Sequence, residues 1–513
     1  MKHIARSTLI IAFFFGIEKI LGFIRQILIA RIFGLSPELD AFNAANNLPD
    51  VLFALISGGA LAMALIPVLS EYLGKKGRPA AWDLFSRVAN LLFLVTAFVS
   101  VLIAILAENL VEWQIGIAPG FNTEQQTLVA ELMRLNLIAT LLFSLSGLVI
   151  AGLQANQHFL LPALAPSMYD IGTFIGVLIL VPERGYQFGP ITLPALGMGI
   201  HGLVYGVIIG AALFLGIQIP GLLRYQFRWV PRINLRHPGL RQVLVVMGPR
   251  VLTVACIQVT YIAQDNIASR LVAGSVTALV YGWLFMQVPE TLIGTAIGTA
   301  LLPTLSEQIV RGDWEAFKKS LTHTIRAILA LTIPSATLLA VCIRPLVDIL
   351  GFDAAGTDLV VWTARGYLVG LMGHALLEVA ARAFYAQQDA RTPLLTAALM
   401  AVSFVILGVI LGPRLGAPGI SLANALAFTG EALLLLWLLN RRFPGIFQVR
   451  KTLFRVGLAS AGSTIGVLIL LQILPFASMS TVMSVLITIG VLVASGIVLI
   501  PFIWPEVKLL LKL

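Results

Sequence analysis

The chain has little charge and almost no cysteine. Charged side chains make up 11% of its 513 residues and hydrophobic ones 58%, and the mean hydropathy is +0.95. Soluble globular domains carry about 25% charged residues, so this composition excludes that class and predicts a polytopic membrane protein. The two cysteines, Cys256 and Cys342, lie in apolar runs, which argues against a disulfide framework and against a cysteine-based metal site.

The sequence also lacks the short motifs of nucleotide-driven pumps and metalloenzymes. It contains no GxxxxGKS/T loop for ATP phosphates and no HExxH or CxxC cluster. No segment between the apolar runs is long enough to form a catalytic domain. We therefore predict that the chain is not an enzyme and needs no cofactor, while coupling to a Na+ or H+ gradient stays open.

The basic residues are spread along the chain and predict its topology. The net charge is +10, but no basic patch or arm is present, so nucleic acid is not an expected partner. With the N-terminus inside, roughly 24 of the 34 Lys and Arg residues lie at inner helix ends. This bias predicts that both termini are cytoplasmic. No cleavable signal peptide is expected, because the first apolar run is too long and keeps internal charges.

The fold class predicted from the apolar runs is an all-α polytopic membrane protein with about fourteen transmembrane helices. The predicted spans are 7–33, 39–72, 84–107, 126–152, 159–181, 194–218, 240–272, 275–309, 320–346, 357–385, 392–412, 417–440, 453–475 and 479–503.

Three pairs of segments recur in the same order at offsets of about 220 to 236 residues. The pairs are GGALAMALIPVLSEY (58–72) with GTAIGTALLPTLSEQ (294–308), ANQHFLLP (155–162) with AQQDARTP (386–393), and MGIHGL (198–203) with APGISL (417–422). A repeat unit with an even number of spans gives two halves of the same orientation. The repeat therefore predicts two parallel six-helix halves around a central cavity.

The predicted halves are 1–218 and 240–441, and residues 442–513 add two further helices. Between the halves, residues 219–239 carry four arginines beside Phe227 and Trp229. Pro231 interrupts any continuous helix there. This segment is predicted to be a cytoplasmic interfacial linker that contacts anionic headgroups.

The first two spans carry charged and amide residues on shared helical faces. Glu18 and Arg25 lie on one face with Lys19 beside them, while the opposite face is apolar. On the second span, Asp40, Asn43, Asn47 and Asp50 follow an i, i+3, i+7, i+10 pattern. The pattern predicts a hydrated cavity that binds a polar, anionic group. The competing interpretation is a self-neutralising cluster that only fixes helix packing.

A second candidate site lies on the seventh span. Asp265 shares a face with Gln258 and Tyr261, and is either a cation site coupled to transport or a partner for Arg250 or Arg270. Elsewhere, Glu378 and Arg382 are spaced i, i+4 and are predicted to pair at the inner edge of their helix. The lone histidines His201 and His374 are predicted to have packing roles.

Five segments resemble the MurJ/MviN family of lipid II flippases, which lies in the superfamily of multidrug and polysaccharide-lipid exporters. The segments are LGFIRQILIARIFG (21–34), LDAFNAANNLPDVLF (39–53), GALAMALIPVLSEY (59–72), GTALLPTLSEQ (298–308) and FYAQQDARTP (384–393). The resemblance implies a monomer in the bacterial inner membrane with a cavity open alternately to each side. It implies that undecaprenyl-diphosphate-linked lipid II is moved from the inner to the outer leaflet, with its tail in a groove formed by the two extra helices.

The resemblance also assigns residues. Lys19 stands where the family usually has a cavity Arg, Arg25 matches a second, and Asp40 matches the acid of the same site. Phe53 and Leu284 stand where the family tends to have cations. These two differences leave open another polyprenyl-linked saccharide or amphiphile as substrate. An ion-coupled small-molecule antiporter, a non-transporting membrane scaffold and a polytopic lipid enzyme also stay open.

Overall fold

The computed structural model describes residues 2–56, 59–189, 191–474 and 479–510. Within these ranges nearly all of the chain is helical, and seventeen α-helices are present. They are α1 Lys2–Phe33, α2 Pro37–Ile56, α3 Gly59–Glu112, α4 Thr123–Ala155, α5 Leu160–Ile175, α6 Gly199–Gly216, α7 Ile219–Arg224, α8 Pro238–Ala268, α9 Ser275–Glu290, α10 Ala296–Val310, α11 Trp314–Asp348, α12 Ala354–Val369, α13 Leu371–Ala386, α14 Arg391–Leu415, α15 Ala417–Arg442, α16 Arg450–Ile473 and α17 Thr481–Leu510.

Each predicted membrane span overlaps helical residues of the structure. The helix α3 covers part of one predicted span and the whole of the next, and some other spans are divided between two helices. Eleven stretches within the described ranges are long and apolar enough to cross a membrane. The long helices α1, α2 and α8 fall outside that set, and each contains charged residues. The all-α membrane fold is therefore confirmed, and fourteen spans agree with eleven apolar stretches and these three helices. The predicted span 39–72 corresponds to α2 and the first part of α3, with residues 57–58 outside the described ranges.

Short non-α segments join or extend some helices. A π-helical turn, Gly176–Leu180, continues α5, and a second, Thr291–Thr295, connects α9 to α10. A two-stranded antiparallel hairpin pairs β1 (Gln187–Phe188) with β2 (Ile191–Thr192), with Gln187 opposite Thr192. Within α3 the backbone bends at Gly77, where φ is 80°. That positive φ favours glycine, because a Cβ would be strained there.

Residues Met1–Asn266 form one compact unit. Its core contains Trp82, Phe85 and Phe227, whose rings meet edge-on at 5.3 to 5.5 Å. The Trp82 indole donates to the Tyr225 carbonyl at 3.0 Å. These contacts fix the segment after α7 against α3.

His237 lies at the end of that segment. Its pKa is lowered, first by burial and then by the positive charge of Arg87, and the imidazole is therefore neutral at physiological pH.

Close glycine contacts set the position of α5 against α6. A Cβ built on Gly176 would lie 2.8 Å from the Gly206 Cα, and one on Gly172 would lie 2.2 Å from the Gly210 Cα. Such distances leave no room for a side chain, so the two backbones touch. The GVIIG segment (206–210) thus joins neighbouring helices within the chain, and it fixes the helix that carries Tyr169 and Asp170.

Residues Ile267–Leu513 form the second compact unit. The fully buried carboxylate of Glu506 on α17 joins α11 and α16 to that helix. It accepts from Arg326 Nη2 at 3.0 Å, from Thr452 Oγ1 at 2.8 Å and from Arg455 Nη2. Arg455 Nε also donates to the Phe502 carbonyl at 3.0 Å. One carboxylate therefore ties three helices together.

The segments ANQHFLLP and AQQDARTP adopt the same turn. Gln157 and Gln388, at equivalent positions, have φ of 58° and 60°. The next residue in each donates its amide five residues back, His158 to Leu153 at 2.9 Å and Asp389 to Phe384 at 3.0 Å. Helices α4 and α13 therefore end in the same way, with a left-handed residue after the last turn.

We expect Gln388→Gly to raise the stability of the protein by about 1 kcal/mol, because glycine adopts this left-handed backbone without a Cβ penalty. The neighbouring Gln387 has an ordinary φ of −79°, so Gln387→Gly serves as the control and should lower stability. The midpoint of thermal unfolding in detergent measures both. Equal decreases in the two variants would contradict the account of this turn.

Candidate functional site

A cavity of about 330 Å³ lies among α1, α2, α4, α5 and α6 of the first unit. Its wall contains both polar and aromatic side chains. The polar residues are Glu18, Arg25, Asn46, Asp50, Asn136 and Thr140, and the aromatic residues are Phe53, Phe143, Tyr169 and Phe214. A cavity with ionisable groups among membrane-spanning helices is the arrangement expected of a transport pathway.

Arg25, which lines this cavity, forms an ion pair with Asp170. Its Nη1 donates to Asp170 Oδ1 at 2.6 Å. The Arg25 side chain is 17% exposed and that of Asp170 is 2% exposed. The guanidinium carbon also lies 4.9 Å from the Tyr169 ring centroid, within the range of a cation–π contact.

Asp170 is a site residue that the sequence reasoning missed. It is the only acid in the predicted span 159–181, and an ionisable residue within a span indicates function by itself. That signal was present in the sequence, but its partner lies 145 positions away. Asn136 was missed as well: its Nδ2 donates to Asn46 Oδ1 at 2.8 Å, and it lines the same cavity.

Of the seven residues predicted for the cavity, three line it and four do not. Glu18, Arg25 and Asp50 line the cavity, as the helical pattern predicts. Lys19 is not among the lining residues: its side chain is 64% exposed, and its Nζ lies 3.4 Å from Glu18 Oε2. The remaining three are on α2 but are not among the lining residues: Asp40 and Asn47 are buried and Asn43 is half-buried. The helix α2 continues through Pro49 to Ile56.

Asp265 belongs to the first unit and contacts α2. Asn47 Nδ2 donates to Asp265 Oδ2 at 2.7 Å, and both side chains are buried. On the same face, Gln258 Nε2 lies 3.5 Å from the Asp50 carbonyl oxygen. Among the described residues, no group of three His, Cys, Asp or Glu side chains is placed to hold a metal ion. Cation coupling at Asp265 stays a prediction.

Phe53, which stands where a cation was expected, belongs to an aromatic cluster. Its ring lies edge-on to Phe143 at 6.0 Å between centroids. Phe143 in turn meets Tyr169 and Phe214, each at 5.5 Å. The cavity therefore presents ring surface at a position where family members tend to present charge.

The second unit contains a separate polar cluster. Arg382 and Glu378 form an ion pair, as their i, i+4 spacing predicts, and Arg382 Nη2 donates to Thr299 Oγ1 at 3.2 Å. Leu284 on α9 is half-buried. His374 has the predicted packing role, because its ring stacks on Phe428 at 4.3 Å.

His201, the other lone histidine, lies on α6. Its Nε2 is 3.5 Å from Glu131 Oε2, and both side chains are partly exposed. The contact is an ion pair only when the imidazole is protonated, so the structure adds an ionisable partner that the predicted packing role did not include.

An apolar groove of about 580 Å³ lies between α9, α11 and α17 in this unit. All three helices contribute to its walls. The lining residues include Val288, Pro289, Leu331, Pro334, Leu338, Leu499, Ile503 and Trp504. Its lining is suited to a hydrocarbon chain and not to a polar ligand.

Long spanning helices around a cavity with a buried ion pair define the class of polytopic membrane transporters. Comparison with known proteins places the chain within it. The model of the family "Lipid II flippase MurJ" matches residues 29–496. A lipid II flippase MurJ from Burkholderia cenocepacia is 31% identical over 458 residues, covering 87% of this chain and 85% of the relative. The chain belongs to the lipid II flippase MurJ family.

Other relatives and solved structures agree. A probable lipid II flippase MurJ of Thermotoga maritima is 29% identical, with 88% of each chain covered. The fold resembles a solved lipid II flippase MurJ in an inward closed conformation, with a TM-score of 0.76, 22% identity and 96% of this chain and 99% of that chain covered. It also resembles an inward-facing multidrug MATE transporter of the MOP superfamily, with a TM-score of 0.68, 15% identity and coverage of 85% and 96%.

Proposed function

We propose that this protein moves lipid II, the undecaprenyl-diphosphate-linked peptidoglycan precursor, from the inner to the outer leaflet by alternating access. The observation that carries the proposal is the position of Arg25 in the cavity of the first unit. A guanidinium is the group best suited to hold the phosphates of such a lipid. The membership of the family supports the same substrate.

In this proposal the apolar groove takes the polyprenyl tail while the head crosses inside the cavity. The groove is lined by α9, α11 and α17, and its apolar walls can pack against a polyprenyl chain that stays within the hydrocarbon of the bilayer. Of the two extra helices, α17 thus has a role that a small-molecule antiporter would not need, while no described residue of α16 lines the groove. In the same proposal the protein lies in the bacterial inner membrane with both termini in the cytoplasm, and a single chain carries out the transport.

A second candidate is the transport of another polyprenyl-linked saccharide or amphiphile. The observation that favours it is the aromatic cluster of Phe53, Phe143, Tyr169 and Phe214 at a place where a cation was expected. Sugar rings pack their apolar faces on aromatic rings, so this wall suits a saccharide head. The feature is compatible with lipid II and with other lipid-linked sugars.

We expect the wild-type chain to restore growth and normal cell shape to a bacterium depleted of its own lipid II flippase. Membrane insertion is measured in parallel with a C-terminal fluorescent fusion. Lysis of the depleted cells despite full insertion would contradict the lipid II proposal. Rescue of a strain lacking a polysaccharide-lipid flippase, without rescue of the first strain, would favour the second candidate.

A further inference from the structure

Both cations that the sequence predicts for the first-unit cavity already face a carboxylate. Lys19 lies 3.4 Å from Glu18 and Arg25 lies 2.6 Å from Asp170. A further acid, Asp50, lines the same cavity. An anion that enters the cavity as it stands therefore meets no surplus of positive charge. To be bound through a cation, it must take that cation from a carboxylate.

The Arg25–Asp170 pair is built so that it can open. Asp170 Oδ2 is buried and has no hydrogen-bond partner among the described residues. Buried side-chain oxygens usually have a hydrogen-bond partner, whereas the bond from Arg25 uses only Asp170 Oδ1. One hydrogen bond joins Arg25 to Asp170, although a guanidinium can donate two parallel hydrogen bonds to a phosphate.

Arg25 also has donors left for a ligand. A guanidinium carries five N–H donors. In the described part of the chain, Arg25 contacts Asp170 through Nη1 and the face of Tyr169 at 4.9 Å from the centroid. Arg25 and Tyr169 line the cavity, while Asp170 lies behind them. The guanidinium therefore stands between the internal carboxylate and the space where a substrate would lie.

We infer that Asp170 is an internal counter-anion that neutralises Arg25 in the empty cavity and is exchanged for a phosphate group of the substrate on binding. Asp170 is thus a positioning residue that acts through Arg25. The exchange keeps the cation paired in the empty and in the loaded state, and the cost of leaving the buried Asp170 without its partner in the loaded state favours release of the substrate. The inference rests on the proposed function for its substrate, but its ligand chemistry is any phosphate-bearing anion.

The test is the binding of inorganic pyrophosphate to the full-length protein in lipid nanodiscs. Asp170→Asn removes the competing charge and keeps the shape, and should tighten binding at least tenfold. Adding Arg25→Gln to Asp170→Asn should abolish the gain. Asp50→Asn is the matched control and should change binding much less, because among the described residues the acid that pairs with Arg25 is Asp170. If Asp170→Asn does not fold, Asp170→Ser is measured in its place.

Two outcomes overturn the inference. Unchanged or weaker binding in Asp170→Asn would show that the carboxylate only orients Arg25. An equal gain in Asp50→Asn would show that general charge, and not the pair, controls binding. Asp170→Glu keeps the charge and should bind as the wild type does.

The transport readout separates this inference from the proposed function. Asp170→Asn should bind pyrophosphate more tightly. It should nevertheless support slower growth in the depleted strain, because release of the transported lipid from Arg25 is slowed. A loss of folding alone would lower both. If the wild type fails to rescue that strain while the gain in Asp170→Asn persists, the exchange stands and lipid II is not the substrate.

Discussion

Arg25→Ala is expected to abolish rescue of a flippase-depleted bacterium. Removing the cation of a buried charge pair between a protein and its ligand costs about 3 kcal/mol of binding free energy, which corresponds to about a hundredfold loss of affinity for the substrate phosphate. Lys19→Ala is the matched control, because Lys19 is 64% exposed and exposed pairs contribute at most about 1 kcal/mol. Growth in the depleted strain and membrane content of each variant are measured together.

Arg25→Ala alone also leaves Asp170 buried without its partner, and this lowers stability. The double variant Arg25→Met and Asp170→Leu separates the two effects, since replacement of a buried ion pair by apolar residues of similar volume is often neutral for stability. We expect it to be inserted and folded like the wild type but to fail in rescue. Rescue by this double variant would show that Arg25 is not part of the substrate site.

Glu506→Ala is expected to give the largest loss of stability in the second unit, about 3 to 5 kcal/mol. The change leaves Arg326 and Arg455 facing each other without the carboxylate they share. Because Glu506 is fully buried, water cannot replace it. Thermal unfolding in detergent and protease sensitivity of the loop between α15 and α16 measure the effect.

The matched variant replaces the whole cluster, with Glu506→Leu, Arg326→Met and Arg455→Met together. If the ion network causes the loss, this triple variant should recover most of the wild-type stability. A triple variant as unstable as Glu506→Ala would show that packing of the side-chain stems, and not buried charge, holds α16 and α17 against α11.

Much of the cavity could be predicted from one helix. Glu18 and Arg25 were found because polar residues repeat at helical spacing on an otherwise apolar span, and both line the cavity. On α2 the pattern selected Asn43 and Asn47, whereas Asn46 lines the cavity. Neighbouring residues on a helix point about 100° apart, and a polar run such as Asn46-Asn47 does not reveal which of the two faces inward.

Contacts between distant helices could not be predicted. Asp170 and Asp265 each stand in an apolar run, and nothing in the local pattern indicates that they meet Arg25 and Asn47, respectively. The same holds for Glu506, whose partners Arg326 and Arg455 lie on two other helices. By contrast, the i, i+4 pair of Glu378 and Arg382 was predicted correctly, because its geometry depends only on one helix.

The most direct test is the translocation of fluorescent lipid II in proteoliposomes that contain only this protein. Loss of fluorescence on adding a membrane-impermeant quencher reports which leaflet holds the labelled head. We predict rapid redistribution between leaflets with the wild type, and none above protein-free liposomes with the Arg25→Met and Asp170→Leu variant. Redistribution at the wild-type rate in that variant, or none with the wild type, would contradict the role assigned to the cavity.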